Sequence, residues 1–442
     1  MRAVYLAPVY LVVNIYLLAR ILKWLKSCSA VFAQAWVQGA VSAVYFFFMF
    51  SVLTAFLLPA GKAGRLMKLI SNYWLGVLLY TILAVVLSDL VWLVCQRAAG
   101  DAVQRYGDGR FHAVLGGICA AAVLLVSAWG ICNARVIRVT PYEITVGGSG
   151  GKSATESREE SAPESRGEGE PESEKEGASN RVFNIVLVSD LHLGYNTGVS
   201  QMRRMTEKIN AQNADLVVIA GDIFDNEYEA LEEPERISEI LRGIRAKYGV
   251  YACYGNHDIE ERILAGFTFG GKKAKESSIQ MDEFVEKSGI RLLRDEGVWI
   301  ADSFYLYGRA DASRPGRGIA ERKTAAGLMA EFKELEELEE LEELEEFKEP
   351  DGKKPVIVID HQPGELKELS AAGADVCLSG HTHNGQTFPA NIVTSVLWEN
   401  PYGYKKVGSM HTIVTSGVGV FGPNMRVGTA AEICPIEIHF QE

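Results

Sequence analysis

Val188-Ser189-Asp190-Leu191-His192 closes an apolar run on an Asp-x-His pair. Metal-donor side chains follow further runs in Gly221-Asp222, Gly255-Asn256-His257-Asp258, His361 and Gly380-His381-Thr382-His383. Residues two apart on an extended strand face the same way, so Asp190 and His192 can reach one point from a strand-to-loop junction. Asp222 ends the apolar run at 216–221, Asn256 follows the run at 250–254, and His361 and His381 follow runs at 356–360 and 376–378. Open α/β sheets gather ligands at the carboxyl ends of their strands, so these side chains are expected to converge. Aspartate, asparagine and imidazole are donors suited to Mn, Fe, Zn or Ni, and a carboxylate between two such ions can bridge them. The chain reads as a dinuclear metallohydrolase.

Around these blocks the sequence alternates as an α/β fold should. Apolar runs at 183–189, 216–221, 250–254, 355–360, 374–379 and 411–416 predict buried strands. Helical patterns at about 201–213, 229–247, 280–288 and 364–372 lie between them, and 291–310 reads as two or three short antiparallel strands.

The five blocks, in this order from Asp190 to His383, resemble the DxH, GD, GNH[DE], H and GHxH signature of the calcineurin-like metallophosphoesterase superfamily. With the apolar N-terminal region, the form His381-Thr382-His383-Asn384-Gly385-Gln386 is similar to the bacterial membrane-associated branch of the YkuE and YaeI type, whose pattern usually has Gly where Asn384 stands. The resemblance implies a two-sheet α/β/β/α sandwich, and the apolar stretches of the N-terminal region place a four-helix transmembrane region before it. It also implies two divalent ions, one held by Asp190, His192, Asp222 and His383 and the other by Asp222, Asn256, His361 and His381, with Asp222 bridging. On the same basis His257 stabilises transition-state charge or protonates the leaving oxygen, and Asp258 orients its ring. The expected activity is hydrolysis of a phosphate ester by a metal-activated hydroxide, on a phosphodiester or a lipid-linked phosphate. The alternatives are a phosphomonoesterase, a nucleotide-lipid pyrophosphatase, or a non-catalytic membrane sensor that binds metal or a phosphorylated ligand.

The 442 residues are expected to divide into a membrane region at 1–135 and a metallophosphoesterase domain at 136–442. Apolar stretches at about 3–22, 33–58, 73–95 and 112–133 each approach or exceed the roughly 20 residues that cross a bilayer core. Flanking basic residues divide evenly between the two faces. The first helix, with Arg2 before it and Arg20, Lys23 and Lys26 after it, favours an extracytoplasmic catalytic domain. Asp89 is the one acid inside a span, and it reads as a packing residue facing Asn14 or sitting near the interface more readily than as a proton relay.

Two low-complexity stretches carry most of the net charge of −12. Residues 147–180 hold too few apolar side chains to offset chain entropy and are expected to be disordered. The run Val136 to Val146 just before them reads as a strand that pairs with the catalytic sheet. The Leu-Glu-Glu repeat within the insertion at 331–350 predicts an exposed, projecting helix, because a period of three drifts around the 3.6-residue turn. No basic footprint accompanies these features, so no nucleic-acid partner is expected. The seven cysteines include no CxxC pair and support neither a disulfide framework nor a structural zinc site. His112, His411 and His439 read as ordinary packing or surface residues. Whether Arg309 and Asp311 border the substrate pocket stays open.

Overall fold

The computed structural model describes residues 2–59, 61–106, 108–147, 181–261, 263–264, 267–268, 276–342 and 354–441. Four long helices open the chain: α1 (Arg2–Cys28), α2 (Ala35–Leu57), α3 (Lys62–Tyr106) and α4 (Asp108–Asn133). Each contains a segment long and apolar enough to cross a membrane, at Ala7–Cys28, Ala35–Leu57, Lys62–Ala98 and Gly109–Asn133. At 45 residues α3 would extend roughly 67 Å, about twice the thickness of a bilayer core. It therefore runs well past both ends of the predicted third span. Asp89 accepts hydrogen bonds from the Tyr16 hydroxyl and the Arg20 guanidinium on α1. Asn14, the partner considered from sequence, is instead bonded to Tyr45 and to the Tyr10 carbonyl.

The remaining chain builds two stacked sheets. The first contains β1 (Ile137–Val139), β2 (Tyr142–Val146), β3 (Arg181–Val188), β4 (Leu216–Ala220) and β5 (Val250–Cys253). A small hairpin, β6 (Ile263–Leu264) with β7 (Phe267–Thr268), stands apart, and β8 (Ile290–Leu292) completes that edge. The second sheet contains β9 (Glu296–Ile300), β10 (Phe304–Gly308), β11 (Val356–Ile359), β12 (Val376–Ser379), β13 (Gly403–Val407) and β14 (Met410–Val414). The final strand, β15 (Ala431–Phe440), returns to the first sheet, where the order is β1-β15-β3-β4-β5-β8 with β2 also on β15. The second sheet runs β13-β14-β12-β11-β10-β9.

Alternation along the strands explains the layering. On β3, Ile185 and Leu187 face the other sheet, packing in one cluster with Phe304, Leu306, Ile357 and Leu378. Val186 and Val188 face outward onto α5 (Val199–Asn210), α6 (Pro234–Arg242) and α7 (Ile279–Lys287) through Met202, Met205, Ile237, Leu241 and Phe284. The second sheet is covered in the same way by α8 (Ala325–Glu342) and α9 (Leu366–Ala372), which pack Leu328, Met329, Phe332 and Leu369 over Tyr305, Val356 and Val358. A strand buried on both faces reads as a continuous apolar run, which is why these strands were visible in sequence.

Three features differ from the sequence reading. β8 pairs parallel with β5 in the first sheet, so only β9 and β10 form the antiparallel pair expected across 291–310. Helix α8 begins at Ala325 and buries Phe332 and Leu328, so its first half is part of the core and not a projection. Val136–Val146 supplies two short strands, both parallel to β15. The acidic stretch from 148 to 180 and the end of the Glu-rich insertion from 343 lie outside the described residues.

Candidate metal centre

All seven expected donors follow the carboxyl ends of parallel strands. Asp190 and His192 come after β3, Asp222 after β4, Asn256 after β5, His361 after β11, and His381 and His383 after β12. Because the inner faces of the two sheets stack, the loops of β3, β4 and β5 meet those of β11 and β12 at one end of the sandwich. Asp190, His192, Asp222, His381 and His383 all have left-handed backbone, with φ between 43° and 72°. Strain of this kind in non-glycine residues collects at functional sites and persists only where the surroundings enforce it. Asn384 has φ 49° as well. Glycine enters that region freely and asparagine tolerates it better than most residues, so the departure from the branch pattern keeps the loop conformation.

The expected donors fall into two groups, and a third cluster joins His192 to Asp225 and His257. In one, Asp190, His192 and His383 bring their ligand atoms within 4.8 Å of one another; in the other, Asp222, His361 and His381 do so. His192 Nε2 lies 2.9 Å from His383 Nε2, and His383 Nε2 lies 3.4 Å from Asp190 Oδ1. In the second group His361 Nε2 is 3.1 Å from Asp222 Oδ2 and 3.2 Å from His381 Nδ1. The same Asp222 Oδ2 is 3.7 Å from His192 Nε2 and so faces both groups. Asn256 Oδ1 is buried without a hydrogen-bond partner. Ring nitrogens aimed at one another and an orphaned buried carbonyl oxygen are costly arrangements in a protein interior unless a cation takes up the lone pairs. The donor set therefore fits divalent metal.

Burial and neighbouring charge set the protonation of these groups. Burial lowers His257 to about 4 and His381 to about 3, with His361 adding to the effect at His381, and it holds His383 well below the ordinary imidazole value. These rings are neutral near pH 7, as metal ligation requires. Burial would raise the Asp222 carboxyl, but His361 and His257 outweigh it and keep Asp222 well below its usual range. Asp190 is pushed up by burial and by the charge of Asp222, against the opposing effect of His361.

Supporting contacts orient the donors. His361 Nδ1 bonds the Ala220 carbonyl at 2.8 Å; a carbonyl only accepts, so Nδ1 carries a hydrogen and Nε2 is turned to Asp222. Against the lowering effect of burial, the charge of Asp222 raises His361 well above the ordinary imidazole value. The Asp190 carboxylate accepts from the Ser189 hydroxyl and from the His381 backbone N–H at 3.0 Å. Gly221 has φ 76°, and a Cβ there would lie 2.7 Å from His361 Nδ1, so both backbone and space demand glycine.

The role expected of Asp258 is corrected. Its carboxylate accepts the backbone N–H groups of Phe224 and Gly255 at 2.8 and 2.7 Å, fixing the loop that carries Asn256. The His257 ring is held instead through Nδ1 by the Asn226 side chain, and its backbone N–H donates to Asp222 Oδ1 at 2.8 Å. Arg309 is fully buried and paired with Asp360 and Glu365, each at 2.8 Å, while Asp311 caps the N–H groups of Ser313 and Arg314. Both shape the loops beside His361.

Besides Asn226, three contributors escaped the sequence reading. Asp225 Oδ1 lies 3.7 Å from His192 Nδ1, beyond hydrogen-bond reach but close enough to favour that ring electrostatically. Arg426 is buried among the carbonyls of Ser416, Gly417 and Gly419 with Nη2 3.3 Å from His383 Nδ1, and its charge, after burial and His192, opposes protonation of His383. Phe421 covers His257 at 4.5 Å between ring centroids. Asp225 offered a weak signal, three residues after Asp222; Arg426 and Phe421 offered none.

Residues 183–385 match the model of the calcineurin-like phosphoesterase family, and with the two-sheet sandwich this shows a calcineurin-like metallophosphoesterase domain behind four apolar helices. Over 269 residues the chain is 29% identical to a zebrafish (Danio rerio) transmembrane protein with metallophosphoesterase domain, covering 57% of this chain and 52% of that one. It is 24% identical over 261 residues to an uncharacterized metallophosphoesterase of Helicobacter pylori, covering 59% and 60%. A further relative, 25% identical over 257 residues and covering 49% of this chain and 70% of its own, is the UDP-2,3-diacylglucosamine pyrophosphatase LpxG of Chlamydia trachomatis. The chain thus spans 52% and 60% of the lengths of the first two relatives.

Proposed function

We propose that the protein is a membrane-anchored hydrolase of phosphate esters that works with two divalent ions, acting on a phosphodiester or a lipid-linked phosphate. The observation that carries this reading is the position of Asp222 Oδ2, 3.1 Å from His361 Nε2 and 3.7 Å from His192 Nε2, between two three-donor groups. Asp190, His192, Asp222 and His383 would hold one ion, and Asp222, Asn256, His361 and His381 the other. Two ions so placed would activate water toward phosphorus and neutralise the phosphoryl oxygens. The chain's own contribution is to fix the donors, hold the His381 and His383 rings neutral and supply His257. With Nδ1 bonded to Asn226, His257 has Nε2 left to take or return a proton at the phosphoryl group.

A second reading, a pyrophosphatase acting on a nucleotide-linked lipid, is favoured by the relative whose name states that activity. For the side of the membrane, Lys23 and Lys26 near the C-terminal end of α1, against Arg2 at its first residue, support an extracytoplasmic catalytic domain. The test uses the purified full-length protein in detergent with Mn²⁺ added, assayed on bis-p-nitrophenyl phosphate and p-nitrophenyl phosphate. Turnover of one ester that falls by about a thousandfold or more in Asp222→Asn is the expected result. Bound metal with no turnover of any phosphate ester or pyrophosphate would favour a non-catalytic sensor.

A further inference from the structure

Directly after the His383 loop the chain forms α10 (Ala390–Leu397), and no residue of this helix is buried. Apart from Ser395, its outward side chains are apolar: Ile392 is 55% exposed, Val393 56%, Val396 81% and Leu397 70%, with Phe388 at 47% just before them. The pattern is the reverse of a water-facing surface helix. Between His383 and Glu399 the sequence has no ionisable residue.

The position of α10 against the membrane helices says what covers it. In α3 the segment from Leu69 to Ser88 is uncharged and lies between Lys68 and Asp89, a separation of roughly 31 Å that matches a bilayer core. Tyr80 lies roughly 18 Å along α3 from Lys68, well inside that band. Its hydroxyl donates to the Phe388 carbonyl at 3.1 Å, while the Phe388 N–H donates to the Val427 carbonyl at 2.8 Å. Non-helical backbone at hydrocarbon depth requires such internal partners. At the other end of α10, the Trp398 ring sits edge-on to His381, with centroids 5.1 Å apart. One short helix therefore joins the level of the apolar band to a donor of the metal centre.

We propose that α10 dips from the headgroup level at Trp398 into the hydrocarbon at Phe388, with Ile392, Val393, Val396 and Leu397 in contact with lipid, and that it opens the metal centre to amphiphilic phosphate esters whose chains stay in the membrane. The substrate class rests on the hydrolase reading above; the depth of α10 does not. Trp398 and the first charged residue, Glu399, then mark the headgroup level, where indole rings and charges are ordinarily found.

The test uses the full-length chain in phosphatidylcholine vesicles, with its seven native cysteines replaced by serine or alanine. An NBD fluorophore is attached at Val396→Cys or, as a water-facing control, at Lys367→Cys, where the side chain is 76% exposed. The label at 396 should be quenched by doxyl-lipid and about tenfold less than the control by aqueous iodide. Equal iodide quenching at the two positions would overturn the placement, whatever the protein hydrolyses. The second arm compares hexadecyl p-nitrophenyl phosphate in the vesicles with bis-p-nitrophenyl phosphate in solution. In the Val393→Glu/Val396→Glu protein the ratio of the two rates should fall by about tenfold or more. An unchanged ratio would overturn the role of α10 in substrate access. A native protein that cleaves neither ester would instead contradict the hydrolase reading, with the quenching result still deciding the depth of α10.

Discussion

His361 and His257 both contact Asp222, through Oδ2 and Oδ1, but their rings are held in different ways, so their replacement should have different consequences. His361 has Nδ1 fixed by the Ala220 carbonyl and presents Nε2 to Asp222, the arrangement of a ligand. His257 is bonded through Nδ1 to Asn226, which leaves Nε2 for the proposed role at the reacting group. His361→Ala should lose about one metal equivalent together with activity. His257→Ala should keep its metal while kcat falls by about 10² to 10⁴. Metal analysis beside steady-state kinetics separates the two, and equal metal loss in both would refute the assignment of roles. At this scale the seven proposed donors stood out as candidates because each sits in a short block at the end of an apolar run. Asn226, Asp225 and Arg426 were not, because their roles arise only when separate loops meet. Asp258 shows the limit of adjacency: next to His257 in sequence, it spends its carboxylate on backbone N–H groups.

Among the elements, strands buried on both faces were read correctly from continuous apolar runs, while the pairing of short strands was not. β8 has three residues and carries no information about which sheet it joins; its parallel place beside β5 follows from α7, which packs on the first sheet before it. The Leu-Glu-Glu pattern concealed the apolar start of α8, since Leu328, Met329 and Phe332 lie at or before the edge of the repeat. The central strand β14 also carries a titrating group. Burial, with Lys406 adding to it, lowers His411 to about 4, and the Tyr404 hydroxyl lies 3.1 Å from its Nδ1. An imidazole in the unfolded chain protonates near pH 6.5, so as pH falls from about 6.5 toward 4 the unfolded state takes up the proton first and the fold loses stability. Thermal unfolding of the detergent-solubilised protein should therefore shift to lower temperature across this window, and less so in His411→Gln. The same shift in both proteins would contradict this view of β14.

For the molecule as a whole, the contact between membrane helices and catalytic sandwich is the feature least available to sequence. Arg65 on α3 donates to the Ala230 carbonyl at 2.6 Å and pairs with Glu232 at 3.0 Å; Asn72 donates to Asn196 at 3.0 Å; Asn133 on α4 donates to the carbonyls of Arg426 and Thr429. Four apolar runs announce spans, but nothing in them discloses that α3 continues as a brace for the loops around the metal centre. Arg426 joins the two regions, with its carbonyl on Asn133 and its guanidinium beside His383. The account as a whole depends on the donors acting together on two ions. The most direct measurement is the divalent-metal content of the purified full-length protein by mass spectrometry of the elements, compared with Asp222→Asn. About two ions per chain, reduced by about one or more in the variant, is the predicted result. A native protein without a stoichiometric divalent ion, or one whose metal content is unaffected by Asp222→Asn, would contradict it.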